Sequence, residues 1–198
     1  MRIAKHDCAL CPRLVSYRDQ NRAAFPDWHN GPVQSFGSLG SELLILGLAP
    51  GVRGANKTGR PFTGDFAGDL LYLTLSAYGF SSGTYKSSPH DGVELINCRI
   101  ANAVRCVPPQ NKPVGAEIKA CAPFLEEEIA AMKNLKLILA LGTIAHNSAL
   151  NVFCHRKASS KFGHNQLHAF EKGPYILDSY HCSRYNTNTG RLTTQMFH

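Results

Sequence analysis

Four short apolar runs recur along the chain, and each has the composition of a strand that is buried on both faces. They are residues 42–49, 93–101, 135–142 and 175–180. Runs that are rich in Leu and Ile and poor in charge are typical of parallel strands covered by helices on both sides. The pattern therefore predicts four strands of one buried, mostly parallel sheet.

Segments with apolar residues at helical spacing separate these runs. They are residues 68–79, 117–133 and 143–153. Pro123 is expected to start a second helical segment or to kink the second helix, and Thr143 is expected to cap the third. Strands that alternate with helices predict an α/β fold. Since there is no internal repeat or linker, we expect a single domain over residues 1–198.

Composition and charge narrow the class of protein. The chain is 43% hydrophobic and 18% charged, with a net charge of +7, which suits a polyanionic partner, although a basic surface also serves solubility. No apolar run reaches the roughly 18 residues of a membrane span. The first residues, MRIAKHDCALC, carry charge where a signal peptide needs an apolar stretch. We therefore expect a cytoplasmic protein whose thiols are not paired in disulfides.

The first apolar run is followed by GLAPGVRGANKT, which resembles a phosphate-binding P-loop. A P-loop needs glycine directly before its Lys-Thr pair, and this chain has Asn56 there. Gly59 and Pro61 follow within a few residues and favour a continued turn over the start of a helix. The sequence therefore does not favour a nucleoside triphosphatase.

Four cysteines lie at positions that suit a metal centre. Cys8 and Cys11 form a C-x-x-C pair, whereas Cys106 and Cys121 are far apart. A structural zinc site usually has two close pairs, and iron–sulfur clusters accept one close pair with distant ligands. The spacing alone leaves an iron–sulfur cluster, a zinc site and a set of buried thiols open.

The loops that follow the predicted strands carry motifs similar to those of one family, the iron–sulfur uracil-DNA glycosylases, and in particular their B-type, or fifth, branch. The matching stretches are GLAPGVRGANKTGRPFTGD, AVRCVPPQNKP with the later Cys121, KFGHNQLH and SYHCSRYNTNTGRLT. The resemblance implies a three-layer α/β/α sandwich around a mostly parallel four-stranded sheet. It also implies a monofunctional glycosylase of base excision repair that removes uracil, with hypoxanthine or other deaminated bases as further substrates.

The resemblance implies a cofactor and a partner as well. The four cysteines, Cys8, Cys11, Cys106 and Cys121, would hold a [4Fe–4S] cluster that fixes the N-terminal segment. The partner would be double- or single-stranded DNA with a deaminated base, bound by a monomer in the cytoplasm and at the nucleoid. The rival interpretation is a non-catalytic iron–sulfur protein that binds DNA or transfers electrons.

By the same resemblance, a few residues carry the chemistry. Phe62 would stack on the base, His181 would donate to a uracil oxygen, and Asp65 would activate water. Asp65 also has the sequence context of a helix cap, and Phe62 that of a core residue. An amide suits base reading because it both donates and accepts. Asn111 is slightly favoured for this role over Asn102, which matches the amide of the related A-type branch.

Leu48 stands where the A-type branch has a glutamate. Its apolar side chain cannot activate water, and a pocket without that carboxylate is expected to admit larger deaminated bases. Ala49 and Gly51 belong to the same loop and are expected to contact the substrate. The residues expected to contact DNA are Arg53, Lys57, Arg60, Arg184, Tyr185, Asn186 and Arg191.

Three details of the sequence lead to further expectations. Cys182 follows His181 where most members of the superfamily have proline, which implies a catalytic loop that is less rigid and open to oxidation. His164 and His168 have the spacing of a helical metal pair, but they match the family and are expected to pack structurally. The chain stops at His198, where family members usually continue into a further helix, and looser packing of the catalytic loop is expected.

Overall fold

A computed structural model describes all 198 residues, and a six-stranded sheet forms its centre. The strands are β1 (Phe36–Gly37), β2 (Leu43–Gly47), β3 (Ser81–Ser82), β4 (Glu94–Leu95), β5 (Cys98–Asn102), β6 (Leu137–Leu141), β7 (Leu167–His168) and β8 (Tyr175–Ser179). The sheet order is β1-β5-β2-β6-β8-β7, and β3 and β4 form a separate pair. The four central strands are parallel, which confirms the predicted sheet, and β1 and β7 add short antiparallel edges.

Seven helices surround this sheet. They are α1 (Pro12–Ala24), α2 (Ala55–Thr58), α3 (Phe66–Ala77), α4 (Gly115–Ala131), α5 (Thr143–Val152), α6 (Arg184–Asn188) and α7 (Thr194–Phe197). The three predicted helices are α3, α4 and α5. The sequence did not predict α1, because its residues are mostly polar and few of them are buried. No helix is long and apolar enough to cross a membrane.

Successive strand residues face opposite helices, as the pleat of a sheet requires. Leu44 and Leu46 of β2 pack in one core cluster with α4 and α5. Ile45, between them, packs in a second cluster with α3. The two clusters lie on opposite faces of the sheet, and the predicted three-layer α/β/α arrangement is confirmed.

Three predicted boundaries are wrong in detail. The run 93–101 splits into β4 and β5, because Asn97 adopts a left-handed φ of 50° between them. Pro123 does not divide the second helix, since α4 continues through it, and Leu125 and Ile129 beyond it pack against the sheet. The third helix is capped by Gly142, with φ 95°, and Thr143 is its first residue. Glycine allows the left-handed conformation in which β6 turns directly into α5.

A buried carboxylate near the end of β8 holds two imidazoles. Asp178 Oδ1 lies 2.7 Å from His146 Nδ1, and Oδ2 lies 2.9 Å from His168 Nε2. The Gly163 N–H also donates to Oδ2, at 3.2 Å. His164 makes a separate contact, since its Nδ1 accepts from the Tyr180 N–H. The histidines expected to pack structurally therefore do so, and they do not form a helical pair.

Replacing Asp178 by alanine is expected to lower the free energy of unfolding by about 3 kcal/mol, because two buried imidazoles and one N–H lose their acceptor. Urea denaturation of the variant measures this loss. Glu171→Ala removes an exposed acid just before the same strand and is the matched control, expected to change stability by less than about 0.5 kcal/mol. Equal stability of the two variants would contradict a structural role for Asp178.

Candidate active site

A cavity of ≈ 720 Å³ opens beside the carboxyl ends of the central strands. Ligands of parallel α/β sheets bind at this edge. Most of the residues predicted for the site lie together in its wall. They are Leu48, Ala49, Gly51, Arg53, Phe62, Asp65, Asn102, Asn111, His181, Arg184 and Tyr185. Lys57, Arg60, Asn186 and Arg191 are the predicted site residues that do not line it.

Asp65 caps a helix and also faces the cavity. Its Oδ1 accepts the Gly68 N–H at 3.1 Å and so caps α3. A Cβ at Gly54 would lie 2.2 Å from Oδ2, and one at Gly51 would lie 3.1 Å from it. The loop after β2 therefore needs glycine at both positions to make room for the carboxylate. Burial raises the pKa of Asp65 above the usual range of an aspartate.

Sequence reasoning missed part of the wall. The additional lining residues are Pro50, Ala55, Gly64, Phe66, Ala67 and Ser183. All but two, Ala55 and Ala67, lie next to a predicted site residue in the chain. The signal was therefore present in the motifs, but only the fold shows which neighbours turn towards the cavity.

Phe62 belongs both to the core and to the wall of the cavity. It is 6% exposed, packs in the cluster under α3 and has a left-handed φ of 50°. A Cβ at Gly47 would lie 2.7 Å from Phe62 Cζ, so only glycine at the end of β2 admits the ring. The Phe62 and His181 rings stack at 5.6 Å with an interplanar angle of 24°. The two rings therefore pack against each other in the wall of the cavity.

The imidazole of His181 is neutral at physiological pH. The ring is half-buried in the cavity wall, and burial lowers its pKa to about 4. Neither ring nitrogen is hydrogen-bonded within the protein. A neutral imidazole keeps one N–H donor and one acceptor, and both are free to meet a ligand in the cavity.

Cys182 corrects one expectation from the sequence. Its side chain is completely buried, and the Sγ donates to the Ala67 carbonyl oxygen at 3.4 Å. The contact joins the loop that carries His181 to the first turn of α3. The thiol is therefore not exposed to oxidants and acts as an anchor for the loop.

Two amide side chains approach the cavity from different directions. Asn102, the last residue of β5, is 2% exposed, and its Oδ1 has no hydrogen-bond partner. Asn111 is exposed at the end of a 3-10 turn, with φ 56°. The buried, unpaired oxygen of Asn102 is the stronger sign of a ligand, because such atoms are normally paired.

Basic and aromatic side chains surround the mouth of the cavity. Arg53, Arg184 and Tyr185 are exposed there, and Tyr185 is 72% exposed. Arg184 lies over the Phe66 ring at 5.5 Å. Arg191 lies over the Tyr180 ring at 4.6 Å, outside the cavity.

Two residues expected to contact DNA have structural roles instead. The guanidinium of Arg60 is buried and pairs with both carboxylate oxygens of Asp91, at 2.7 and 2.8 Å. The side-chain amide of Asn186 donates to the His181 carbonyl oxygen at 2.8 Å. Arg60 therefore belongs to the scaffold under the loop, and Asn186 supports the segment that carries His181.

The four cysteines singled out by the sequence meet at a second, apolar cavity. Cys8, Cys11, Cys106 and Cys121 all line it, together with Leu14 and Phe124 among others. No three of their sulfur atoms all lie within 4.8 Å of one another, as the ligand atoms of a single ion would. Thiols that face one cavity without converging on a point suit a multi-atom cluster better than a single zinc ion.

The surroundings of these thiols favour an anionic group. Arg18 is 4% exposed, and its Nε has no hydrogen-bond partner. The Arg105 N–H donates to Cys121 Sγ at 3.3 Å. Burial, with the neighbouring thiols adding to it, raises the pKa of Cys11 to about 11 and that of Cys106 to about 12. A metal centre bound by these thiols would offset this cost, because its positive charge stabilises the thiolate form.

Comparisons with known proteins agree with this geometry. Residues 34–198 match the family model of the uracil DNA glycosylase superfamily. The chain is 43% identical over 196 residues to a type-5 uracil-DNA glycosylase of Thermus thermophilus, with 96% of this chain and 89% of that protein covered. A type-5 uracil-DNA glycosylase of Pyrobaculum aerophilum is 38% identical over 193 residues, covering 96% of this chain and 84% of that protein. A type-4 uracil-DNA glycosylase of the same organism is 32% identical over 151 residues, covering 76% of this chain and 63% of that protein.

Proposed function

The chain belongs to the type-5 branch of the uracil-DNA glycosylase superfamily, and from this we propose that it hydrolyses the N-glycosidic bond of uracil in DNA and leaves an abasic site. The observation that carries the proposal is the set of groups around one cavity: a carboxylate, an aromatic wall, a neutral imidazole and two amides. These are the groups that release of an anionic base from a flipped nucleotide requires.

The proposed reaction begins with a uracil that has left the base stack and entered the cavity. Its flat face lies against the Phe62 ring. As the bond to N1 breaks, positive charge develops on the deoxyribose and negative charge on the uracil. The carboxylate of Asp65 stabilises the sugar cation and accepts a proton from the attacking water, whose oxygen forms the new bond to C1′.

His181 acts on the leaving base. A neutral N–H donor near a uracil oxygen stabilises the developing anion without first attracting a negatively charged ligand in the ground state. Burial keeps the ring in this form, since the pKa of His181 is lowered to about 4. The same arrangement accounts for the absence of any hydrogen bond from its ring to the protein, because those positions are left for the base.

Base reading is assigned to the two amides, with Asn102 as the principal reader. One amide side chain accepts from uracil N3–H and donates to O4. Asn102 is buried and held by β5 next to Phe62, whereas Asn111 is on an exposed turn and closes on the base from the mouth. Leu48 lines the cavity without a polar group, which leaves room for hypoxanthine as a second substrate.

Replacing Asn102 by alanine is expected to lower kcat/KM for uracil release by about a hundredfold, and Asn111→Ala by about tenfold. The larger loss follows from the rigid, fully desolvated position of Asn102. Single-turnover assays with uracil in an oligonucleotide measure both. The reverse order of effects would restore Asn111, which the sequence favoured, as the principal reader.

Basic side chains around the mouth of the cavity hold the part of the DNA that stays outside it. Arg53 and Arg184 are exposed on opposite loops and suit phosphates on either side of the flipped nucleotide. Tyr185 projects from the same segment as Arg184, and this segment suits the minor groove. Lys57 and Arg191 extend the basic surface to either side.

We further infer that the thiols of Cys8, Cys11, Cys106 and Cys121 hold a [4Fe–4S] cluster. The chemistry of the donor set and the buried Arg18 guanidinium, which donates to the Cys8 carbonyl oxygen, support this assignment. The cluster would cross-link the start of α1 to α4 and to the loop after β5. The glycosylase reaction itself uses only groups of the protein.

The decisive test is base release in the presence of EDTA. Purified protein is incubated with labelled oligonucleotides that contain a single uracil or a single hypoxanthine, and alkali then cleaves any abasic site. Cleavage of the uracil strand is expected, and the hypoxanthine strand measures how permissive the cavity is. Tight binding without cleavage of either strand would refute the glycosylase and favour a non-catalytic DNA-binding protein.

A further inference from the structure

Two aromatic rings lie stacked on the surface beside the loop that lines the cavity. Phe25 and Trp28 have ring centroids 4.0 Å apart and are nearly parallel, at 8°. Lys57 Nζ lies 5.7 Å from the centroid of the Trp28 ring. We call these three residues the flanking platform.

The fold does not use the flanking platform for its own packing. Phe25 is 40% exposed, and neither ring belongs to any of the hydrophobic core clusters. Lys57 is exposed and has no ion-pair partner. An exposed aromatic stack beside an unpaired cation is typical of surfaces that bind single-stranded nucleic acid.

The flanking platform is attached rigidly to the active-site loop. The His29 N–H donates to the Lys57 carbonyl and the Asn30 N–H to the Asn56 carbonyl, both at 3.0 Å. The side-chain amide of Asn56 donates to Asn30 Oδ1 at 2.9 Å. These bonds fix the segment of Phe25 and Trp28 against α2, so the rings cannot move independently of the cavity wall.

The distance to the cavity suits a neighbouring nucleotide. Ala55, the first residue of α2, lines the cavity, and Lys57 follows it on the same four-residue helix. Four helical residues span about 6 Å, which is about two base steps along a DNA strand. A strand whose flipped base fills the cavity therefore reaches the platform about two nucleotides away, beyond the ends of a trinucleotide.

From this continuity and charge we propose that the flanking platform binds the damaged strand beside the flipped nucleotide. Lys57 contacts a phosphate, and the outer face of Phe25 stacks against an unpaired base or a deoxyribose. The proposal rests on the proposed function, because it takes the cavity as the place of the flipped base. It also implies a preference for substrates whose flanking bases are unpaired.

Trp28 is the only tryptophan of the chain, so its fluorescence reports directly on the platform. The probes are two single-stranded oligonucleotides with a stable abasic-site analogue, one a trinucleotide and one extended on both sides. The extended strand is expected to quench the fluorescence on binding, and the trinucleotide is expected to leave it unchanged. Unchanged fluorescence at saturation with the extended strand would overturn the proposal.

Phe25→Ala provides a second, independent measurement. The variant is expected to bind the extended strand about tenfold more weakly, since stacking on one aromatic ring is lost. Its binding to the trinucleotide is expected to stay unchanged. The matched control is Tyr175→Ala, which removes an exposed aromatic ring at the start of β8, at the opposite edge of the sheet. Equal affinities of the two variants for the extended strand would overturn the proposal.

The two proposals fail in distinguishable ways. If the protein releases uracil but DNA does not change the Trp28 fluorescence, the platform proposal is wrong and the proposed glycosylase activity stands. Quenching by DNA without release of any base would keep the platform as a DNA contact and refute the catalytic assignment.

Discussion

Asparagine in place of Asp65 is expected to lower kcat for uracil release by at least about a hundredfold, while the protein stays folded. The amide keeps the hydrogen bond to the Gly68 N–H that caps α3, because asparagine and aspartate cap helices equally well. It lacks the negative charge that stabilises the sugar cation and the basicity that accepts a proton from water. Single-turnover kinetics and thermal unfolding of one preparation separate the two roles.

The controls for this variant lie on the same helix. Asp65→Ala removes cap and charge together and is expected to lose about 1 kcal/mol of stability in addition to activity. Asp69→Asn removes an exposed charge one turn further along α3 and is expected to keep kcat. If Asp65→Asn retained wild-type kcat, the carboxylate would be a helix cap and nothing more.

The pH dependence follows from the same carboxylate. Only ionised Asp65 is active, and burial raises its pKa above the usual range of an aspartate. Activity is therefore lost as the pH falls through this raised pKa, above the point where an exposed aspartate would protonate. The acid limb is expected to disappear in Asp65→Asn. The titration of His181 is not expected to change the activity near neutral pH, because the pKa of His181 is lowered to about 4.

Serine at Cys121 is expected to abolish iron binding and to lower the melting temperature by about 8–16 °C, which corresponds to a loss of about 4 kcal/mol. The reason is that the thiol would hold α4 to the N-terminal segment through the proposed cluster, since Cys8, Cys11 and Cys121 line one cavity. Iron analysis, the visible absorption of the protein and a thermal melt measure the change together.

Cys154→Ser is the matched control, because that thiol is exposed and lies far along the chain from the cavity residues. It is expected to keep both iron and melting temperature. An iron-free Cys121→Ser protein that melts like the wild type would contradict a structural role for the metal site. Full iron content in the variant would show that Cys121 is not one of its ligands.

Local patterns of apolar and polar residues predicted much of the fold. Leu/Ile-rich runs identified the parallel strands because burial on both faces excludes polar residues. The edge strands β1 and β7 were not predicted, because each has only two residues and so short a segment shows no periodicity. The helix α1 was missed for a different reason: its packing depends on the cysteine-lined cavity, so its sequence needs no long apolar face.

The site was predicted best where a residue lies directly after a strand. Asn102 ends β5, His181 lies two residues after β8, and the parallel arrangement brings such residues to one edge. Arg60 was misjudged because its partner, Asp91, lies in a distant loop that no local pattern connects to it. The burial of Cys182 likewise depends on contact with α3, which adjacency to His181 does not reveal.

The cysteine-lined cavity has its own small apolar cluster, separate from the two clusters that enclose the sheet. From there α1 leads to Asn30, whose amide nitrogen donates to the carbonyls of Asn21 and Phe25 and whose oxygen holds Asn56 in the active-site loop. Loss of the proposed cluster would therefore release the segment around α1 and slacken that loop while the sheet stays folded. The proposed cofactor would then act on catalysis from a distance, and iron depletion would leave a folded protein whose active-site loop is no longer held in place.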